Sequence, residues 1–280
     1  MSDRATIYAP GKLVLVGEYA VVDGAPAVVL AIDRGVRCDL HLGGTERIVH
    51  TPDGDTRFVD PALQHAGPGT YTFSAWNPVD LPGKPGFGGS AAACVAACVA
   101  AGRPPEDALT IHHSVQGSGS GVDVLASIHG GMGRARNKRW TAMDPVVPVV
   151  TFTGASAKTG PRVEAYRAWS SRRSFIDDST AIVDAFATDP HTAFRAAWRL
   201  LSHMAWAAGV AYRTPAIDHI VQVAESFGGA AKPSGAGGGD CTVALFPDAE
   251  RAAAFTERVA ADGFPGIAVS PAPGARRVDT

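Results

Sequence analysis

The feature that most constrains this chain is a glycine-rich stretch that leads directly into a run of small residues. The stretch reads Pro-Gly-Lys-Pro-Gly-Phe-Gly-Gly-Ser from Pro82 to Ser90, and the run from Ala91 to Ala101 contains no helix breaker. This pattern predicts a loop that feeds the start of a tightly packed helix. Glycines let a backbone approach a ligand closely, and the first turn of a helix leaves N–H groups unpaired. Because the helix dipole also favours negative charge there, the stretch predicts an anion site, most often one for phosphate.

Ser90 stands where this helix begins, so its hydroxyl either caps the helix or reaches a phosphate or a metal ion. The spacing of the glycines matches neither the P-loop nor the first turn of a dinucleotide-binding fold. Since glycine-rich turns before helices are common, the stretch taken alone also fits a purely structural turn.

The composition indicates an ordered globular protein. The chain has 280 residues, enough for one large domain or two modest domains that share a cleft. Its 25 basic and 27 acidic residues give a net charge of −2, which supplies no basic face for nucleic acid. The four cysteines show no metal-ligand spacing and are expected to be buried packing residues. With no signal pattern and no long apolar run, we expect a cytoplasmic protein that does not bind membranes.

The N-terminal region predicts short strands separated by turns at Pro10-Gly11 and Asp23-Gly24. Lys12 and Glu18 interrupt apolar runs in this region. Both are either solvated charges at a strand edge or buried charges beside a ligand, and the apolar flanks on each side favour the second interpretation.

A second glycine-rich turn, Gly-Ser-Gly-Ser-Gly from Gly117 to Gly121, opens another helix with Asp123 in its first turn. Asp123 is either an acid that stabilises the helix dipole or a carboxylate held in a cleft to orient a hydroxyl or take its proton. The composition becomes helical after residue 155, where we place a boundary between domains 1–155 and 156–280.

A third glycine-rich stretch runs from Lys232 through Gly-Ala-Gly-Gly-Gly to Asp240 and Cys241 and leads into an apolar strand. So many glycines before a strand predict a loop that lies against a ligand or against another loop.

Three parts of the chain together resemble the three motifs of the GHMP kinases, the group that includes galactokinase, homoserine kinase, mevalonate kinase and phosphomevalonate kinase. The motifs here are Pro10-Gly-Lys12 with Gly17-Glu18, the loop that ends in Ser90, and Lys232 to Cys241. The resemblance covers nearly the whole chain and implies an α+β fold of two lobes. The N-terminal lobe would contain a ribosomal-protein-S5-like sheet, the C-terminal lobe would be ferredoxin-like, and a nucleotide cleft would lie between them.

The resemblance also implies roles for individual residues. ATP would be the phosphoryl donor, Mg²⁺ would be held by Ser90 and Glu18, and Lys12 and Asp123 would be the catalytic residues at the acceptor oxygen. The residues implied to contact ATP are Gly86, Gly88, Gly89, Ser90 and Ala91. Those implied to contact the acceptor are Lys12, Ser120, Gly121, Asp123, Ser156, Gly237 and Gly238. The second motif of the family usually ends in two serines, whereas Gly89 replaces the first one here, so Ser90 would serve alone.

Within the family, Asp240 after three glycines and the segment from Gln116 to Ser127 are most similar to the phosphomevalonate kinases, in which the acceptor is itself a phosphate. Candidate cations for that acceptor are Arg134, Arg136 and Lys158. The alternatives are a mevalonate kinase or another family member that acts on a small alcohol, and an inactive protein that senses metabolites. A decarboxylase of the same group fits the third motif less well. The expected partners are ATP and a small molecule, and the protein is a monomer or a homodimer.

Overall fold

The computed structural model describes residues 3–157 and 159–279 and contains two β-sheets with helices packed against them. Within these residues the strands are β1 (Arg4–Val16), β2 (Ala27–Leu42), β3 (Arg47–His50), β4 (Gly69–Trp76), β5 (Met132–Arg136), β6 (Arg139–Met143), β7 (Val149–Phe152), β8 (Ala230–Pro233), β9 (Cys241–Leu245), β10 (Gly266–Ile267) and β11 (Arg276–Asp279). The helices are α1 (Gly89–Ala100), α2 (Asp107–Gln116), α3 (Val122–His129), α4 (Thr159–Ala168), α5 (Arg172–Phe186), α6 (Pro190–Ala208), α7 (Pro215–Ser226) and α8 (Ala249–Ala261), with a short 3-10 helix at Ala20–Asp23. The expected α+β class is confirmed.

The first sheet has seven strands and is built on the long antiparallel pair of β1 and β2. Strands β11, β1, β2, β4 and β3 follow one another in that order, while β5 pairs with another part of β2 and also with β6. Helices α1 and α3 pack on β1 and β2. The small buried side chains of α1 allow this helix to lie close to the sheet, which places the start of α1 beside β1.

The turn expected at Pro10-Gly11 is not a turn. Strand β1 continues through these residues, and its pairing with β2 shifts register between them as in a β-bulge. Proline is tolerated at such an irregularity, where the ladder does not require its missing N–H group. The bulge lies directly before Lys12.

The second sheet has four antiparallel strands in the order β10, β7, β9 and β8. Helices α7 and α8 pack on it and enclose a separate apolar cluster with Phe255 and Val259. Apolar residues at helical spacing in the sequence indicate both of these helices.

Residue 155 does not divide the strands of the first sheet from those of the second. Strand β7 precedes this position yet belongs to the second sheet, and β11 follows the second sheet yet pairs with β1 of the first. The division at residue 155 therefore stays a prediction about domains, while the chain passes from the first sheet to the second and back. No helix in the described part of the chain has both the length and the apolar character needed to cross a bilayer.

Candidate active site

Lys12 lies on β1 and contacts the first glycine-rich loop through both its backbone and its side chain. Its backbone N–H donates to the carbonyl oxygen of Phe87 at 2.9 Å, and its ammonium group donates to the carbonyl oxygen of Gly86 at 3.1 Å. Only 8% of the side chain is exposed. Lys12 is therefore a buried cation beside the loop and not a solvated charge at a strand edge.

Asp123 lies in the first turn of α3 and faces Lys12. Its Oδ1 is 4.0 Å from Lys12 Nζ, and 38% of its side chain is exposed. An ammonium group and a carboxylate at this distance attract each other. Asp123 consequently combines a fixed ionic neighbour with an open side that a ligand can reach.

The first glycine-rich loop passes next to both of these side chains. Gly88 immediately precedes α1 with φ of 76°, a left-handed conformation that favours glycine. A Cβ atom at Gly88 would lie 3.3 Å from Lys12 Cγ and 3.4 Å from Asp123 Oδ2. The structure thus brings Lys12, Asp123 and the start of α1 together, although they are far apart in sequence. Gly89 and Ser90 are exposed in the first turn of α1, whereas the Ala91 side chain is buried.

The hydroxyl of Ser90 has a partner that the sequence did not reveal. Its Oγ lies 3.1 Å from Nε2 of His112 on α2. His112 is buried and stacks on Phe58, with ring centroids 4.8 Å apart. Burial lowers the pKa of His112, and the negative charge of Asp123 partly opposes this change. A neutral imidazole therefore orients the Ser90 hydroxyl at neutral pH.

Glu18 is buried and forms an ion pair with Lys232 of β8. The exposed fractions of the two side chains are 2% and 0%, and the ammonium group donates to Oε1 of Glu18 and to the carbonyl oxygen of Pro233. Burial lowers the pKa of Lys232, and Glu18 opposes that change. Oε2 of Glu18 is buried and receives no hydrogen bond from the described residues. The carboxylate of Glu18 thus neutralises a buried cation in this structure, and its expected metal role stays a prediction.

Two further hydrogen bonds attach the third glycine-rich loop to β1 and to the segment just after it. The backbone N–H of Val14 donates to Ser234 Oγ at 2.9 Å, and the Tyr19 hydroxyl donates to the carbonyl oxygen of Ala236 at 2.6 Å. The loop therefore lies against the strand that carries Lys12, which fits the expectation of a loop packed on another part of the protein.

Gly237 and Gly238, which the resemblance assigned to the acceptor, contact side chains of the second lobe. The backbone N–H of Gly238 donates to the carbonyl oxygen of Tyr212 at 2.7 Å, and a Cβ atom at Gly237 would collide with the Tyr212 ring. The Arg162 guanidinium group donates to the carbonyl oxygens of Ala211 and Gly238. These contacts explain the two glycines by close packing, and their role toward an acceptor stays a prediction.

Ser156 was also expected to contact the acceptor, but its hydroxyl is bonded to the first glycine-rich loop. The backbone N–H of Lys84 donates to Ser156 Oγ at 2.7 Å, and this hydroxyl donates to the carbonyl oxygen of Lys84 at 2.9 Å. Ser156 thus uses its hydroxyl to hold the loop that precedes Gly86. Lys158, a candidate cation for the acceptor, lies outside the described residues.

A cavity of about 180 Å³ adjoins the turn that precedes α3. Ser120 lines it together with Arg136 and Lys138, which come from the hairpin of β5 and β6. Gly121 ends the turn with φ of 75°. Arg134 does not line this cavity, because its guanidinium group donates to Asp184 at 2.7 Å.

Comparisons with known proteins show which proteins this chain is similar to. Residues 184–265 match the family model described as GHMP kinases C terminal. A phosphomevalonate kinase of Streptomyces sp. (strain CL190) is 29% identical over 336 aligned positions, which cover 87% of this chain and 90% of that protein. A mevalonate kinase of Archaeoglobus fulgidus is 28% identical over 262 positions, which cover 85% of this chain and 91% of that protein. The chain is therefore similar to GHMP kinases, through the family model in its C-terminal part and through these two relatives over most of its length.

The fold of this chain is similar to that of a protein whose structure has been solved. Streptococcus pneumoniae phosphomevalonate kinase, in complex with phosphomevalonate and AMPPNP, is similar with a TM-score of 0.76. The similarity covers 97% of this chain and 100% of that one, at 16% sequence identity. The two sheets and the helices packed on them therefore form a fold that this chain shares with that protein.

The described residues of this chain contain no group of three or more His, Cys, Asp or Glu side chains placed to hold a metal ion. Mg²⁺ in kinases commonly uses only one or two protein oxygens, together with substrate phosphates and water. The exposed hydroxyl of Ser90, oriented by His112, fits that requirement as a hard oxygen donor.

The sequence motifs did not indicate a role for three residues of the site. His112 follows Ser90 by 22 positions and carries no motif. Lys232 and Asp240 stand in the third motif, yet nothing in the sequence pairs Lys232 with Glu18. One signal was available, because Glu18 and Lys232 are opposite charges that each interrupt an apolar run, and buried charges are normally paired.

Proposed function

We propose that this chain is a GHMP kinase that transfers the γ-phosphoryl group of ATP to 5-phosphomevalonate and so forms 5-diphosphomevalonate. The observation that carries the proposal is the convergence of Lys12 and Asp123 on the glycine-rich loop from Gly86 to Gly88. Phosphoryl transfer depends mainly on positioning and on neutralising charge. A buried lysine, an oriented carboxylate and a helix start supply these requirements.

ATP phosphates would lie on the backbone of Gly86 to Ser90 and at the first turn of α1. The free N–H groups of that turn and the helix dipole favour an anion. Mg²⁺, when bound with ATP, would neutralise charge on the phosphates, and Ser90 would contribute a ligand. His112 would keep the Ser90 oxygen turned toward that position.

In the reaction, an oxygen of the acceptor phosphate would form a bond to the γ-phosphorus of ATP. The bond from this phosphorus to the bridging oxygen would break, and ADP would leave with the electron pair. A phosphate monoester has a second pKa of about 6, so the acceptor is largely a dianion at neutral pH and needs no strong base. Lys12 would neutralise the two approaching phosphates, and Asp123 would orient the acceptor.

The cavity beside Ser120 supports an acceptor that carries its own charge. Arg136 and Lys138 line this cavity, and the turn that borders it continues into α3 and Asp123. Two cations in the lining of a pocket suit an anionic acceptor better than a neutral sugar.

A second candidate function is mevalonate kinase. The match to the Archaeoglobus fulgidus mevalonate kinase favours it, since the coverage and identity are close to those of the phosphomevalonate kinase match. An alcohol acceptor would have to lose a proton, and the exposed side of Asp123 makes this carboxylate the candidate base.

The test is ADP release with Mg-ATP, measured in parallel on 5-phosphomevalonate, mevalonate, homoserine and galactose. We expect turnover on 5-phosphomevalonate, and the double variant Arg136→Ala/Lys138→Ala should raise KM for this acceptor by about tenfold or more. Arg199→Ala, which removes an exposed arginine of α6, is the control and should leave KM unchanged. Turnover on mevalonate alone would replace the proposal with the second candidate. Bound ATP without turnover on any acceptor would favour a sensor.

A further inference from the structure

Asp240 has an unusual backbone conformation for a residue with a side chain. It lies between the third glycine-rich loop and β9, with φ of 59°. Few residues other than glycine adopt this left-handed conformation. Aspartate adopts it more readily than most residues, but still with some steric strain. Such strain persists only where the surroundings fix the residue, so the contacts of Asp240 indicate what it is held against.

Hydrogen bonds join Asp240 to residues 153–157, which we call the strap. Its backbone N–H donates to the carbonyl oxygen of Ala155 at 2.7 Å. Its own carbonyl oxygen accepts from the N–H and hydroxyl of Thr153 at 2.9 and 3.0 Å. Its Oδ1 accepts from the N–H of Ala157 at 2.8 Å. Both the backbone and the side chain of Asp240 are therefore fixed to the strap.

The strap is in turn bonded to the first glycine-rich loop. Ser156 exchanges two hydrogen bonds with the backbone of Lys84, two residues before Gly86. The strap consequently ties Asp240 and the start of this loop into one unit.

The other carboxylate oxygen of Asp240 packs directly on Gly86. A Cβ atom at Gly86 would lie 2.6 Å from Asp240 Oδ2 and 2.7 Å from its carboxylate carbon, closer than real side chains approach. Gly86 is also the residue whose carbonyl oxygen accepts the hydrogen bond of the Lys12 ammonium group. Asp240, Gly86, Lys12 and Asp123 thus form a continuous series of contacts.

We propose that Asp240 is a positioning residue that fixes Gly86, so that the carbonyl oxygen of Gly86 holds the Lys12 ammonium group in place for phosphoryl transfer. This inference rests on the proposed kinase function. A carboxylate beside a loop that receives phosphates adds repulsion, so its value lies in its shape and its hydrogen bond to Ala157. Lys12 and Arg162 are close enough to offset part of its charge.

Asparagine at this position separates shape from charge. Asp240→Asn retains an oxygen that accepts from Ala157 and an atom of similar size against Gly86, whereas Asp240→Ala loses both contacts. We expect Asp240→Ala to lower kcat by about 10- to 100-fold, because small misplacements of a catalytic group have effects of this size. Asp240→Asn should stay within about threefold of the parent. Asp39→Ala, which removes a carboxylate bonded to Thr6 and Arg37, is the control and should not change kcat.

The dependence on Lys12 provides the decisive measurement. In single-turnover assays with enzyme in excess, Asp240→Ala should lower the rate far less in a Lys12→Ala background than in the parent, because residues that act as a unit are not additive. An equal loss in both backgrounds, or an Asp240→Asn variant as impaired as Asp240→Ala, would overturn the proposal. Asp240→Gly loses the same side-chain contacts but adopts φ of 59° without steric cost, so it should lose as much kcat as Asp240→Ala, and a parental kcat in Asp240→Gly would also overturn the proposal.

If the parent enzyme phosphorylates none of the acceptors, the proposed function fails, and the positioning role is then judged by ATP affinity in titration calorimetry. A loss of about tenfold for Asp240→Ala but not for Asp240→Asn supports the fixing of Gly86. Equal ATP affinity in the parent and in Asp240→Ala overturns it.

Discussion

At the scale of single residues, the buried charges Lys12, Glu18 and Lys232 of the described residues lie in two ion pairs with different surroundings. Lys12 and Asp123 are 4.0 Å apart, and Asp123 is open to solvent. Glu18 and Lys232 are both removed from solvent. The first pair is available to a ligand, while the second joins the strand that carries Lys12 to the strand that leads into the third glycine-rich loop.

Replacing Lys12 or Asp123 with alanine should lower turnover by about 100- to 1,000-fold, because under the proposed function each would supply a fixed charge or an orienting group at the reacting atoms. Steady-state kinetics and thermal melting measure the two effects separately. Lys84→Ala removes an exposed side chain of the same loop and should retain parental turnover. Parental turnover in Lys12→Ala would remove the catalytic assignment of this residue.

Lys232→Met should destabilise the fold by about 3–5 kcal/mol, because it leaves the buried Glu18 carboxylate without its partner. Urea unfolding measures the change. The double variant Glu18→Leu/Lys232→Met should recover much of the loss, since two apolar side chains replace the pair. If the single variant is as stable as the parent, Glu18 is not an ion-paired carboxylate in the folded protein.

At the scale of elements, the start of α1 depends on glycine for close approach. Gly88 has a left-handed backbone and lies within van der Waals distance of Lys12 and Asp123. Gly102, just after α1, has a similar φ of 70° but no atom within 4 Å of its Cβ position. The two glycines therefore share a left-handed backbone conformation but differ in their surroundings.

Gly88→Ala should weaken ATP binding by about 1–3 kcal/mol, the usual cost of forcing an extra methyl group into a packed position. Gly102→Ala should carry a similar backbone penalty and leave ATP affinity unchanged. Titration calorimetry with Mg-ATP compares the two variants. Equal ATP affinity in both would mean that the loop at Gly88 is only a structural turn.

The sequence predicted the elements with clear periodicity and missed those that depend on tertiary contacts. Helices α6 and α7 have apolar residues at helical spacing and proline at their first turns, so the sequence indicates them directly. Strand β11 carries two arginines and gains its strand conformation only from pairing with β1, so no local pattern announces it. In the site, glycine-rich motifs identified the loops, but the contacts of His112 and Asp240 depend on folding.

At the scale of the whole molecule, the largest apolar cluster belongs to both lobes. It includes Leu13 and Leu30 of the first sheet, Phe152 and Val243 of the second, and Phe194 of α6. A shared core couples the stability of the parts that contribute to it.

We expect one cooperative unfolding transition and not a separate transition for each lobe. Circular dichroism at 222 nm and tryptophan fluorescence should give coincident urea curves. Mg-ATP at about 100 times its dissociation constant should stabilise the whole protein by about 2.7 kcal/mol. Two resolved transitions, with ATP shifting only one of them, would show that the lobes unfold independently.

The return of β11 to the first sheet has a consequence for how the protein is made on the ribosome. β1 leaves the exit tunnel before the other strands. One side of its Ala5–Tyr8 segment pairs with Arg276–Asp279, which emerges more than 260 residues later. Until then this edge presents unpaired backbone groups, a known route to association with other nascent chains. The N-terminal lobe is therefore completed after synthesis of the C-terminal lobe, and contacts this distant in sequence favour slow acquisition of the native state.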